Sequence, residues 1–117
     1  MIGELISDKF GRYVSEAAKL LRKHEYEEAY KFIMKAAGEN PNAPEPHNLL
    51  GIWYESQGYN DLARKHYRVA YVLDPTYKPA SVNLERVSTL FLNRVIDMDY
   101  GEAENEIIRN VSGENYD

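Results

Sequence analysis

The sequence predicts an all-α fold: antiparallel helix pairs that repeat along the chain, closed by a long C-terminal capping helix. Two observations carry this reading. Ala17, Ala29, Ala36 and Pro41 reappear 34 residues later as Gly51, Ala63, Ala70 and Pro75, and self-similarity at a fixed step of about 20 to 50 residues marks stacked repeat units. Within each stretch the apolar residues recur at helical spacing rather than at every second position, which selects helices over strands.

The first unit spans residues 10–43. Its first helix carries Tyr13, Ala17, Leu20 and Leu21 on one stripe, and after His24-Glu25 a second carries Tyr26, Ala29, Ile33 and Ala36. The second unit, residues 44–77, repeats the plan with Leu50, Trp53 and Tyr54, a break at Gly58 to Asn60, then Leu62, Tyr67, Ala70 and Tyr71. Glu39-Asn40-Pro41-Asn42 and Asp74-Pro75-Thr76 close the pairs, because proline has no amide donor and disfavours helix in the residue before it. Pro44, Pro46 and Pro79 fall near helix starts, where first-turn amides lack an intrahelical partner in any case.

Beyond Tyr77 the same register puts Glu85, Asp97, Glu104 and Arg109 where small residues and proline belong, so a complete third unit is not expected. Ala80, Leu84, Val87, Phe91 and Val95 still form a helical stripe. They predict a capping helix or degenerate third repeat over 78–98, running from about Pro79 to Met98. Residues 99–117 read as a turn at Asp99-Tyr100-Gly101, a short amphipathic helix through Ala103, Ile107, Ile108 and Val111, and a frayed tail from Ser112.

Composition narrows the function. At 117 residues, 44% hydrophobic and 28% charged, the chain fits one folded domain rather than a disordered segment. Its net charge is −5, and its 14 lysines and arginines are dispersed among 19 acidic residues, which excludes the concentrated positive surface that nucleic acid or an anionic membrane demands. The absence of cysteine removes disulfides and thiolate metal sites. No basic leader precedes an apolar core at the N-terminus, and no apolar run approaches the ~18 residues of a membrane span. The expectation is a cytoplasmic protein without membrane insertion. Asn110-Val111-Ser112 matches a glycosylation sequon, which without a secretory signal reads as coincidence.

His47, Leu50, Gly51 and Tyr54, followed by Ala63, Tyr67, Ala70 and Pro75, stand at the spacings of a known repeat. The second unit resembles a tetratricopeptide (TPR) repeat, with His47 in place of the usual tryptophan and Tyr67 in place of the usual phenylalanine. The first is similar but weaker, with Glu16 and Ala17 at the Leu-Gly pair, and the resemblance covers residues 10–98. It implies a superhelix in which the two helices of a unit cross closely at the small positions. Gly51 would then be small so that the second helix of its unit can approach at Ala63 and Tyr67.

The resemblance also implies a concave groove lined by Val14, Ala18 and Leu21 from the first unit, Asn48, Ile52 and Glu55 from the second, and Val82, Arg86 and Thr89 from the terminal helix. Such a face, mixed, with an apolar floor and few charges, suits an apolar peptide or an amphipathic helix of another protein. The alternative is that the chain covers it, through Ile2 to Ile6 or through Ile107 and Ile108. A subset of the family grips partner carboxylates with lysine, asparagine and arginine. Here those positions hold Val14, Ala18, Leu49, Pro79 and Asn83, and almost none carries the donors.

No catalytic constellation is legible: there is no G-x-S-x-G motif, phosphate loop or nucleophile beside a base. His24, His47 and His66 lack metal-ligand spacing, so neither metal nor cofactor is expected. Asp97-Met98-Asp99-Tyr100-Gly101 has the beginnings of a calcium loop. Its glycine comes one position early, however, and Ile108 replaces the closing glutamate, so a turn explains it better. Of the ten tyrosines, Tyr13, Tyr26, Tyr54, Tyr67 and Tyr71 fall on packing positions, while Tyr30, Tyr59 and Tyr77 are freer. The expected function is a protein–protein interaction module, an adaptor or assembly factor. The alternative is a self-assembling structural protein that forms homo-oligomers through its repeat ends or C-terminal segment.

Overall fold

The computed structural model describes residues 2–89 and 98–101, with side chains from Lys9 onward. Among these residues it contains five α-helices and no strand: α1 (Ile2–Arg22), α2 (Tyr26–Glu39), α3 (Pro44–Ser56), α4 (Asn60–Leu73) and α5 (Lys78–Ser88). Each helix packs on the next, α1 also meets α3, and α3 also meets α5. None of the described helices is long and apolar enough to cross a membrane.

The 34-residue step recurs in the backbone. Helices α2 and α4 begin and end that far apart, as do the ends of α1 and α3 and the starts of α3 and α5. The turns repeat as well: His24 and Gly58 both take left-handed φ, 63° and 88°. Beside them, Glu25 N–H donates to Leu20 O (2.9 Å) and Tyr59 N–H to Tyr54 O (3.0 Å), the bonds that close a helix on a left-handed residue. Glycine takes that conformation freely, whereas at His24 a residue with a Cβ does so at a cost of about 1 kcal/mol.

Packing explains the small residues. Ala17, Ala29, Ile33, Ala36, Leu49, Ile52, Ala63, Tyr67 and Ala70 are all fully buried. A Cβ built on Gly51 would overlap the Tyr67 ring, with Cζ 2.8 Å away. The positions 34 residues earlier hold Ala17 and Ile33, a larger residue facing a smaller one. Trp53 ties the two helix pairs together: its indole Nε1 donates to Tyr26 O (2.9 Å), and its ring lies 5.1 Å from that of Tyr30.

Three features depart from the sequence expectation. Helix α1 begins at Ile2, well before Phe10. The terminal helix ends at Ser88 rather than near Met98, because Thr89 turns extended (φ −87°, ψ 120°) and its hydroxyl donates to Glu85 O (2.7 Å), a local bond that competes with the helical ladder. Residues 90–97 lie outside the described residues, and Met98 is not helical. Tyr71, expected on a packing position, is exposed. The helix expected through Ala103, Ile107, Ile108 and Val111, and the tail from Ser112, lie outside the described residues.

Candidate functional site

Helices α1, α3 and α5 share one face of the molecule. On it Val14, Ala18 and Leu21 of α1 and Asn48 and Ile52 of α3 are buried, and Glu55 and Arg86 are nearly so. Among the described residues, the segment Met98–Gly101 of the same chain lies over this face. Met98 and Tyr100 pack on the apolar cluster, Asp99 is buried, and Arg22 at the end of α1 sets its guanidinium 4.7 Å from the centre of the Tyr100 ring. Of the remaining groove candidates, Val82 points to solvent and Thr89 bonds back to its own helix.

Two asparagines hold this segment by its main chain. Asn83 Nδ2 donates to Asp99 O (2.8 Å), Asn83 Oδ1 accepts from Asp99 N–H (2.9 Å), and Asn48 Nδ2 donates to the same Asp99 carbonyl (3.0 Å). Asn83 Nδ2 also donates to Asn48 Oδ1 (2.9 Å), which fixes the two amides against each other. Both asparagines are fully buried. A buried amide needs partners, and here they are the Asp99 peptide groups together with the facing asparagine. The segment then turns back: Gly101 N–H donates to Asp99 Oδ1 (2.9 Å), and Gly101 takes φ 85° against the Tyr77 hydroxyl.

Beside the asparagines lies a charged core. Arg86 bonds both oxygens of Glu55, with Nη2 to Oε1 at 2.9 Å, and Tyr67 donates its hydroxyl to Oε1 (2.7 Å). The pair is only 9% and 12% exposed, so removing one partner would strand a buried charge at a cost of about 3–5 kcal/mol. Burial works against the Arg86 charge, but the hydrogen bond and attraction of Glu55 outweigh it and raise its pKa. Burial pushes the Tyr67 phenol far above its ordinary value, with Glu55 adding to the rise. The Tyr100 phenol is raised too, chiefly by burial and against the pull of Arg22. Arg86 Nε is buried with no hydrogen-bond partner among the described residues.

Sequence reasoning named Asn48, Glu55 and Arg86 as groove residues but missed their occupant. It placed Asn83 only on the carboxylate-gripping set and took Asp99-Tyr100-Gly101 for a turn. The available signal is a pair of asparagines among apolar residues on the inward stripes of α3 and α5, where buried amides need partners.

The histidines, dispersed in the sequence, are not all apart in space. His47 of α3 and His66 of α4 bring their Nδ1 atoms within 3.4 Å, with ring planes 17° apart, and Tyr54 lies parallel to His66 at 5.3 Å. The positions 34 residues earlier hold Tyr13 and Phe32, whose rings meet at 6.1 Å. Burial lowers the pKa of both histidines, and the nearby charges of His47 and Lys65 lower that of His66 further. Among the described residues no group of three or more His, Cys, Asp or Glu is placed to hold a metal ion.

Compared with known proteins, the chain matches no family model, no curated protein and no solved structure.

Proposed function

We propose that the chain is a small cytoplasmic interaction module of TPR-like repeats, an adaptor or assembly factor that holds a segment of another protein in its concave groove without catalysing a reaction. The observation that supports this reading is the grip of Asn48 and Asn83 on both main-chain groups of Asp99. Such donors and acceptors recognise polypeptide as such. They favour an extended segment over the amphipathic helix that the apolar lining suggests, because a helix keeps its own amides and carbonyls internally bonded.

The test is site-directed photocrosslinking in the native cell. A crosslinking residue placed at Arg22, on the groove rim, should capture a partner protein. The same residue at Lys65, on the outer face of α4, should not. Capture only from Lys65, or only of further copies of this chain, would remove the groove from the function.

A second reading, self-association, is favoured by the outer face of α4. Leu62, Val72 and Leu73 are exposed there, Val72 at 75%, and line or flank a hollow of about 420 Å³ with Asp61, Lys65 and Arg68. On α2 the positions 34 residues earlier are Glu28, Gly38 and Glu39. Two copies meeting antiparallel along this face would bury the valine and leucines of both.

A further inference from the structure

Met98–Gly101 occupies the groove in the manner of a ligand rather than a core element. Its central residue is held through main-chain atoms, which are the same in every residue, and its two apolar side chains stay partly exposed. Arg86, which donates from Nη2 to Asn83 Oδ1 (3.3 Å), keeps its buried Nε without a hydrogen bond among the described residues. A buried donor without a partner is unfavourable, so a peptide that brings an acceptor to that atom would hold the groove better than the chain's own segment does.

We propose that Met98–Gly101 is a built-in competitor for a partner's extended peptide. That peptide places one residue's N–H and C=O on Asn83 and Asn48, an aromatic side chain next to it on Arg22, and a hydrogen-bond acceptor at Arg86 Nε. This rests on the interaction reading above and states how the same groove is regulated. The segment is separated from α5 by only the nine residues 89–97 of the sequence. A short tether gives an attached ligand an effective concentration on the order of millimolar. An external peptide therefore binds with an affinity reduced in proportion to the fraction of molecules whose groove is open. A partner reaches the site by offering the extra acceptor or by holding the released segment elsewhere.

The experiment uses the full chain and a fluorescein-labelled peptide of its own sequence, Ile96 to Glu102, followed by fluorescence anisotropy. Gly101→Ala releases the segment without touching the groove, because Gly101 has φ 85° and a Cβ there would meet the Tyr77 hydroxyl. The probe should bind Gly101→Ala at least tenfold more tightly than the wild type. Adding Asn83→Ala should return it to the wild-type level or below, and a probe lacking the tyrosine should bind at least tenfold more weakly. Tyr100→Ala in the full chain is a second release variant and should behave like Gly101→Ala.

Equal probe affinity for wild type and both release variants, with helical circular dichroism retained, would overturn the proposal. So would loss of the helical signal in both variants, which would make the segment a structural strut. Dimerisation of the release variants would also overturn it, because the segment would then be exchanged between copies. Partner crosslinks from Arg22 without probe binding would keep the interaction reading and remove the competitor. Probe exchange without such crosslinks would do the reverse.

Discussion

Gly51 is a helical glycine that cannot grow. Gly11 and Gly38 also lie inside helices, but a Cβ at either would meet nothing within 4 Å, whereas at Gly51 it would strike the Tyr67 ring. The ring is held in place by its hydroxyl bond to Glu55, so it is not free to retreat. Gly11→Ala should therefore stabilise the fold by about 0.5–1 kcal/mol, the ordinary helix-propensity gain. Gly51→Ala should destabilise it by about 1–3 kcal/mol through overpacking. Adding Tyr67→Ile, which recreates the Ala17 and Ile33 pairing of the first helix pair, should cost less than the sum of the single changes, since contacting residues are not additive. Urea denaturation of the four variants and the wild type measures all of this. Equal effects of alanine at positions 11 and 51 would refute the close crossing.

At the scale of helices, α3 and α4 carry a titratable contact where α1 and α2 carry an apolar one. His47 and His66 face each other, with Tyr54 alongside and Lys65 next in the chain, and both have depressed pKa values. A depressed histidine is neutral when folded, while the unfolded chain takes up a proton near pH 6.5. Between 6.5 and the lower folded values the unfolded state thus binds more protons, and stability falls as pH falls. The melting temperature should be flat with respect to this pair above pH 6.5 and decline below it. His47→Tyr combined with His66→Phe should remove that part of the decline. A double variant with the wild-type pH profile would show that the pair does not titrate on unfolding.

The same helices show what a sequence can and cannot reveal. The breaks at His24-Glu25, Gly58 to Asn60, and the two proline turns were readable because each is a local steric fact. The crossing at Gly51 and Tyr67 was readable because a missing side chain needs a neighbour to explain it. The stop at Thr89 was not, since a threonine there is compatible with helix until its hydroxyl finds Glu85 O. Least readable was the seat of Met98–Gly101, because Asn48 and Asp99 are 51 positions apart and no periodicity links them.

For the molecule as a whole, the groove side and the outer side make different predictions. If copies join through α4, sedimentation velocity should show a concentration-dependent dimer that Val72→Glu abolishes, because the change puts a charge in the middle of the exposed apolar stripe. A dimer that persists in Val72→Glu would place the contact elsewhere, and a monomer at every concentration would leave the outer face without that role. The groove residues are untouched by this variant, so the two sides can be separated in one protein.

The chain has a single tryptophan, and its indole nitrogen is bonded across the joint between the first helix pair and the second. The protein thus carries an intrinsic optical gauge at that seam: indole emission should shift to longer wavelength when the pairs part and water reaches Trp53. Label-free stopped-flow fluorescence could then time the opening of the seam against the loss of helix in the two pairs.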